Sequence, residues 1–229
     1  MQPLVSMICV TNRPHFAELV AIQYETQTYT NKELVVIDSS ECGRILQDVA
    51  DVYVREAPGA EIGHVRNVGL EAARGDWIMW FDDDDWRNPN LTSLLMQSAE
   101  EMGEGMAGLR SFYWIDVDGR MERRVCNNWP VFGAAVYRND RPMWPFRTKT
   151  LKKCKTDSLW LLRIKEKFDG FGVMLDKAED YVWVNHGSNV FNRSFDTENR
   201  FPTEHDPMFR EGKPNSLSRH MTMLREAIA

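Results

Sequence analysis

Residues 66–89 read RNVGLEAARGDWIMWFDDDDWRNP, and this stretch decides the fold class. The spacing of apolar residues predicts a helix over 62–74, with Gly75 closing it as a left-handed cap. Trp77 to Phe81 is a short, continuous apolar run, the pattern of a strand buried on both faces. It stops at four consecutive aspartates, Asp82 to Asp85. A helix leading into a fully apolar strand that ends in polar residues is the closing half of a β-α-β unit in a parallel sheet. Ligands of such sheets gather outside the carboxyl ends of the strands, where the topology switches.

Reading outward from that stretch, the first 90 residues continue the alternation. Strands are expected over 4–10, 33–37 and 51–55, and a helix begins near Pro14 and runs to about Gln27, with Phe16, Leu19, Val20 and Gln23 at helical spacing. Asp38 ends the second strand as the aspartate run ends the fourth. After Asn90 the pattern is less regular: a helix to about Met102, short strands with a turn at Asp118-Gly119, and a Pro/Trp-rich stretch through Pro145. A helix over 157–167 follows, with Thr156 as its N-cap, then short strands near Val173 and Tyr181. The expected organisation is a single α/β domain over 1–195, with a nucleotide-binding half (1–90) and a second half (91–195). Residues 196–229 form a polar tail ending in a short helix from Ser216.

The chain has 229 residues, 43% hydrophobic and 27% charged, enough to bury one core and unlike a disordered chain or a coiled coil. No apolar run approaches the roughly 18 residues that cross a bilayer, and the first ten residues lack a basic leader region, so a cytoplasmic protein is expected. Cys9, Cys42, Cys126 and Cys154 show no metal-like or disulfide spacing. The net charge of −6 conceals an asymmetry: residues 110–155 hold 11 Lys/Arg against 4 Asp/Glu, so that segment carries +7 and the rest −13. This split favours an anionic ligand near the middle of the chain, with a solvated surface as the alternative.

Neighbouring carboxylates at about 5 Å repel by roughly 1 to 3 kcal/mol, so the run Asp82 to Asp85 calls for a cation. Hard oxygen ligands select Mg²⁺ or Mn²⁺, and few protein ligands leave coordination positions for phosphate oxygens. An acidic surface turn is the bland alternative. In an extended segment Asp82 and Asp84 share one face and Asp83 and Asp85 the other, so one pair is expected to face the ligand.

Three blocks together resemble the family 2 glycosyltransferases of the GT-A fold: VSMICVTNRP at 5–14, QTYTNKELVVIDSS at 27–40 and the 66–89 stretch. The resemblance covers roughly residues 4–190. It implies a Rossmann-like mixed sheet with helices on both faces and an acceptor-binding second half. It further implies a metal-dependent, inverting transfer of a sugar from a nucleoside-diphosphate sugar, a UDP-sugar above others, to a hydroxyl acceptor such as a glycan. The nucleotide is then held by Thr11, Asn12, Arg13 and Asp38. Ser39 and Ser40 stand where the family usually continues with Asp and Gly. The family's Asp-X-Asp motif maps to Asp82, Asp83 and Asp84, with Asp82 toward the ribose or donor sugar and Asp84 on the Mn²⁺ or Mg²⁺ that bridges the diphosphate. Arg66 adds a guanidinium to the nucleotide site, or else makes a helix-surface salt bridge. His186, in VNHGSNVF, resembles a late histidine that reaches the metal, or is structural.

The transfer also needs a base at the acceptor hydroxyl. Asp157, opening a helix, and Asp180, in a Glu-Asp pair leading into a strand, compete for that role, and the helix context favours Asp157. Trp129 and Trp144 are candidates for stacking on sugar faces. Arg147, Lys149, Lys152, Lys153 and Lys155 suit an anionic acceptor, either a phosphate-linked glycan at a membrane surface or nucleic acid carrying a hydroxylated base. A non-catalytic sugar-nucleotide or polyanion binder on the same fold is the other class of function. A nucleotidyltransferase lacks support because no glycine-rich basic loop follows the first strand.

Overall fold

A computed structural model describes residues 2–116, 121–126, 129–140, 145–146, 156–186 and 215–228. The Asp118-Gly119 turn, Trp144, Cys154, His205 and the basic stretch 147–155 lie outside the described residues.

The chain begins with β1 (Val5–Thr11), a single 3₁₀ turn (Pro14–Phe16) and α1 (Ala17–Thr26), then β2 (Lys32–Asp38), β3 (Val52–Arg55), α2 (Ile62–Ala72) and β4 (Trp77–Trp80). Next come β5 (Trp86–Arg87), α3 (Leu91–Met102), β6 (Met106–Leu109), β7 (Ser111–Asp116), β8 (Met121–Val125) and β9 (Ala135–Arg138). The order closes with α4 (Thr156–Lys167), β10 (Val173–Leu175), β11 (Tyr181–Asn185) and α5 (Asn215–Ile228).

The main sheet runs β10-β6-β9-β4-β1-β2-β3. Strands β3, β2, β1 and β4 are mutually parallel, and β9 enters antiparallel between β4 and β6. Strands β1, β2 and β4 are buried almost throughout, as their unbroken apolar runs require. On one face Val5, Met7, Val36 and Met79 pack with Val20 of α1 and Leu95 of α3. On the other, Ile8, Val35, Ile78 and Trp80 pack with Val65 of α2 and Trp160 of α4. The expected mixed α/β sheet with helices on both faces is therefore present. A smaller sheet, β5-β11-β7-β8, lies over a third cluster that includes Phe16, Leu19, Trp86, Val182 and Met221.

The crossover through α2 carries the chain from β3, at one edge, back past β1 to β4. Strand β1 thus has β2 on one side and β4 on the other, and the switch point falls between the carboxyl ends of β1 and β4. That is where Thr11 and the aspartate run emerge.

Gly75 is not the left-handed cap that its position suggested. Helix α2 ends at Ala72 and the next residue, Ala73, is already extended. Gly75 is needed for space: a Cβ there would lie 2.7 Å from Leu4 O, Ser6 N and Ser6 Oγ, and its N–H donates to Ser6 Oγ at 2.8 Å. The left-handed glycine cap belongs to Gly103, which closes α3 at φ 67°.

Candidate active site

The aspartate run is not extended. The chain bends at Asp83 and Asp84, so the alternation of faces expected above fails and these two neighbours converge on one group. Arg13, just past β1, donates from Nη2 to both: to Asp83 Oδ1, and to Asp84 Oδ2 at 2.8 Å. Its Nε also donates to Asp83 Oδ2 at 3.1 Å, and Thr11 Oγ1 donates to that oxygen at 2.7 Å. The end of β1 is thereby stitched to the end of β4 across the switch point. Asn12, between them, is exposed.

Each remaining carboxylate of the run has different partners. Asp85 is buried and accepts the Tyr181 hydroxyl and, at 3.0 Å, the Val184 amide, which ties the run to β11. Asp82 lies where charges from both halves meet. Burial pushes its pKa up to about 6 against the pull of Arg66 and Arg87, and Asp84 and Asp157 push the same way as burial. Burial also raises Asp83, against Arg13. Asp84 ends below the usual carboxylate range: burial works against it, but the hydrogen bond from His186 and the charge of Arg13 outweigh that.

His186, at the end of β11, brings Nε2 to 2.9 Å from Asp84 Oδ2. In this structure the contact is a hydrogen bond; adjacent ligands of an octahedral ion are also about 3 Å apart, so the carboxylate and the imidazole are close enough to turn to one divalent cation that accepts nitrogen as well as oxygen. Among the described residues no cluster of three or more His, Cys, Asp or Glu ligands forms. Arg13 Nη2 donates to the same Asp84 oxygen, so this ion pair and a bound cation are alternatives.

Arg66 faces inward from α2, buried rather than on the helix surface. Its guanidinium lies over the rings of Phe132 (4.7 Å), Phe146 (5.4 Å) and Trp80 (5.7 Å), and Nη1 is ion-paired with Asp157 Oδ1 at the start of α4. The adjacent Asn67 clamps the backbone of Phe146, accepting its N–H at 2.5 Å and donating to its carbonyl at 3.0 Å. The Arg-Asn pair of the sequence therefore anchors the second half of the chain to the first. Asp157 is the candidate base that shares a field with Asp82. Asp180 stands apart: its carboxyl is raised to about 6 by burial and by Glu179, and no member of the aspartate run figures among the causes.

Asp38 also stands apart. It is fully buried and its carboxylate accepts Ser40 N (2.8 Å), Ile45 N (2.9 Å), the Tyr53 hydroxyl (2.7 Å) and Arg55 Nη1 (3.1 Å). Four donors fill the lone-pair directions of a carboxylate, so Asp38 shapes the 39–45 loop. Trp129 packs on Phe171 with ring centroids 5.2 Å apart.

Two residues absent from the sequence reading complete the wall. Arg87, with no exposed surface, donates to the carbonyls of Trp80 (3.3 Å), Asp82 (3.2 Å) and Gly133 (3.2 Å), holding the run's backbone. His220, on α5, has Nε2 at 3.3 Å from the Asp84 carbonyl; burial lowers its pKa to about 4, so the ring is neutral and Nε2–H is the donor. The Trp-Arg-Asn spacing after the aspartates hints at Arg87, whereas nothing local in the sequence points to His220.

A comparison with protein families matches residues 8–163 to the model described as glycosyl transferase family 2. The chain belongs to that family. The match covers β1 through most of α4, and so includes both ends of the Arg66–Asp157 pair. Among curated relatives, EpsH of Bacillus subtilis, a glycosyltransferase by name, is 27% identical over 106 residues, which are 42% of this chain and 30% of EpsH. The chain thus spans about a third of that relative's length. Among solved structures, residues 1–349 of TarS from S. aureus, in complex with UDP-GlcNAc, superpose with a TM-score of 0.63. They are 19% identical, covering 81% of this chain and 59% of that one. The mannosyltransferase PcManGT from Pyrobaculum calidifontis, in complex with GDP-Man and Mn²⁺, gives 0.59 at 18% identity, covering 85% of this chain and 59% of that one. These likenesses establish the GT-A-like fold of the family 2 chain. Among the described residues no helix is long and apolar enough to cross a membrane.

Proposed function

We propose that this chain is a metal-dependent, inverting glycosyltransferase that moves a sugar from a nucleoside-diphosphate sugar to a hydroxyl on a glycan. In this reading residues 1–90 hold the donor and residues 91–195 the acceptor. The observation that carries it is the meeting, at the switch point of the sheet, of a metal-compatible pair (Asp84 and His186) with a buried Arg66–Asp157 pair whose charge reaches Asp82. A non-catalytic binder of sugar nucleotides does not need a carboxylate held at the mouth of the second half.

Asp84 and His186 are the residues that would hold a divalent cation. When bound, the cation neutralises the charge that builds on the departing nucleoside diphosphate. Arg13 lies beside it, fixed to Asp83, and supplies a guanidinium to the phosphates. Asp82, the first of the run, faces the donor sugar. Asp157 accepts the acceptor's hydroxyl proton as that oxygen attacks the anomeric carbon from the side opposite the nucleotide, so the configuration inverts. Arg66 holds Asp157 in place through their ion pair. Its three aromatic walls exclude water, which strengthens the ion pair.

A uridine nucleotide is our preferred donor base, with Asp38 acting through the loop it orders, since its oxygens are already occupied. The test is a screen of UDP- and GDP-sugars with Mn²⁺ or Mg²⁺ for sugar release and thermal stabilisation. Metal-dependent release from one of them supports the reading. Stabilisation without turnover on any acceptor favours the binder, and no response to any nucleotide sugar refutes both.

A further inference from the structure

Helix α5 is separated from β11 by a long stretch of chain and lies outside the segment that matches the family model. Yet it docks on the donor half. Met221 is buried in the cluster formed by Phe16, Leu19 and Trp86, which sets the helix against the 3₁₀ turn that follows Arg13. One residue earlier, His220 is 3% exposed and reaches the carbonyl of Asp84 at 3.3 Å. Phe16 also meets the His186 ring edge-on, with centroids 5.1 Å apart, and lies 4.7 Å beneath the Arg13 guanidinium. The helix thus supports, from behind, the residues that surround the Asp84 carboxylate.

We propose that His220 is a positioning residue of the metal site and that α5 is an integral part of that site. It acts through Asp84, donating Nε2–H to the main-chain carbonyl of the residue whose carboxylate takes the cation. The physical need is specific. The chain bends at Asp83 and Asp84, beyond the last pairing of β4, and His220 meets the Asp84 carbonyl at that bend. The donor also fixes the peptide plane at Asp84 and hence the direction of its side chain toward His186. Outer partners of this kind typically alter metal affinity 10- to 100-fold when removed.

The inference rests on Asp84 and His186 being the metal's protein ligands, and the experiment separates the two claims. Mn²⁺ is titrated alone and with UDP or GDP, free ion being read by electron paramagnetic resonance, on wild type, Asp84→Asn, His220→Leu, His220→Gln and His220→Asn. Melting temperature is recorded for each. The expected result is loss of Mn²⁺ binding in Asp84→Asn, about tenfold weaker binding in His220→Leu, and near wild-type affinity in His220→Gln, whose amide nitrogen reaches as far as Nε2. Should His220→Leu fail to fold, the shorter Asn is expected to bind Mn²⁺ more weakly than Gln. Wild-type affinity in Asp84→Asn refutes the ligand assignment itself. Loss in Asp84→Asn, together with equal affinities across the His220 variants, overturns the role of His220 alone.

Discussion

Replacing Asp157 by Asn removes the negative partner of a guanidinium that has little other access to water. The Arg66 side chain is 7% exposed and that of Asp157 is 31% exposed. Breaking a fully buried pair costs about 3 to 5 kcal/mol and an exposed one about 0 to 1. Water that reaches Asp157 places this pair between those limits, at about 1 to 3 kcal/mol, or a fall of roughly 2 to 10 °C in melting temperature for a chain of this size. The two single changes are unequal. Asp157→Asn leaves a buried cation without its ion-pair partner, facing the rings of Trp80, Phe132 and Phe146 and the more distant field of Asp82. Arg66→Met leaves a carboxylate that can turn toward water, so it is the milder change. In the double variant neither member of the pair remains and the methionine fills the aromatic box, so much of the lost stability is expected to return, because apolar replacement of a buried pair is often neutral or better, with the remainder set by Asp82, which loses the field of Arg66. Activity does not follow stability: transfer falls by roughly 10² to 10⁴ in Asp157→Asn and stays low in the double variant, while calorimetric affinity for the nucleoside diphosphate is kept. Differential scanning fluorimetry and transfer from the nucleotide sugar found in the screen read the two effects apart. If the double variant loses the sum of the single losses, the pair is not energetically coupled; if Asp157→Asn transfers sugar normally, it is not the base.

Asp84→Asn, or EDTA added to wild type, is expected to lower turnover at least 100-fold while the fold persists; a folded, active Asp84→Asn protein removes the metal from the mechanism. Asp180→Asn should leave transfer intact and raise stability at neutral pH: the folded pKa of about 6 lies above the ordinary 3.8, so the penalty of ionising Asp180 grows as pH rises through that interval. Melting curves at pH 4 and 8 check this, with a gain confined to the higher pH. Asp38 behaves oppositely. Its pKa is lowered below 3.8 because the hydrogen bonds from Ser40, Tyr53 and Ile45 outweigh its burial, so the stability it contributes is whole above about pH 5 and drains away as pH falls below 3.8. An Asp38→Asn protein should melt lower at pH 7 and show a shallower acid limb in a plot of melting temperature against pH.

The first half was legible because parallel strands buried on both faces, such as β2 and β4, write themselves as unbroken apolar runs between turn residues. The second half was less so. Strand β7 alternates buried and half-buried residues, and although β8 pairs with it as its antiparallel neighbour, its other partner β11 lies far along the chain and runs parallel, so no local window shows that pairing. Gly75 misled because a glycine after a helix usually supplies a left-handed turn, whereas here it makes room for the backbone of β1. The alternation of faces in the aspartate run assumes an extended segment, whereas the chain bends at Asp83 and Asp84. The Arg66–Asp157 and Asp84–His220 contacts could not be read at all: Asp157 is 91 residues from Arg66 and His220 is 136 from Asp84. The basic stretch at 147–155 lies outside the described residues, so its bearing on the acceptor still rests on sequence.

Four adjacent carboxylates persist in this interior because the structure gives each a separate fate, and that division has a consequence for binding order. Asp85 is committed to Tyr181 and Val184, Asp82 faces Arg66 and Arg87, and Asp83 is held by Thr11 and Arg13. Only Asp84 among the four has its pKa lowered, by the hydrogen bond from His186 and the charge of Arg13. Asp84 Oδ2 is also the oxygen that Arg13 binds while holding Asp83. A divalent cation on Asp84 therefore frees part of the Arg13 guanidinium while its bonds to Asp83 keep it in place, and the site then holds an excess of positive charge. A nucleoside diphosphate supplies the missing negative charge to both. Metal and nucleotide binding must accordingly be coupled, and by linkage each raises the other's affinity by the same factor. Titrating Mn²⁺ with and without UDP, and UDP with and without Mn²⁺, measures that factor from both sides. In Arg13→Gln the competing cation is gone, so Mn²⁺ alone should bind more tightly and the coupling should shrink. An unchanged coupling in that variant would mean that Arg13 does not share the charge balance of Asp84.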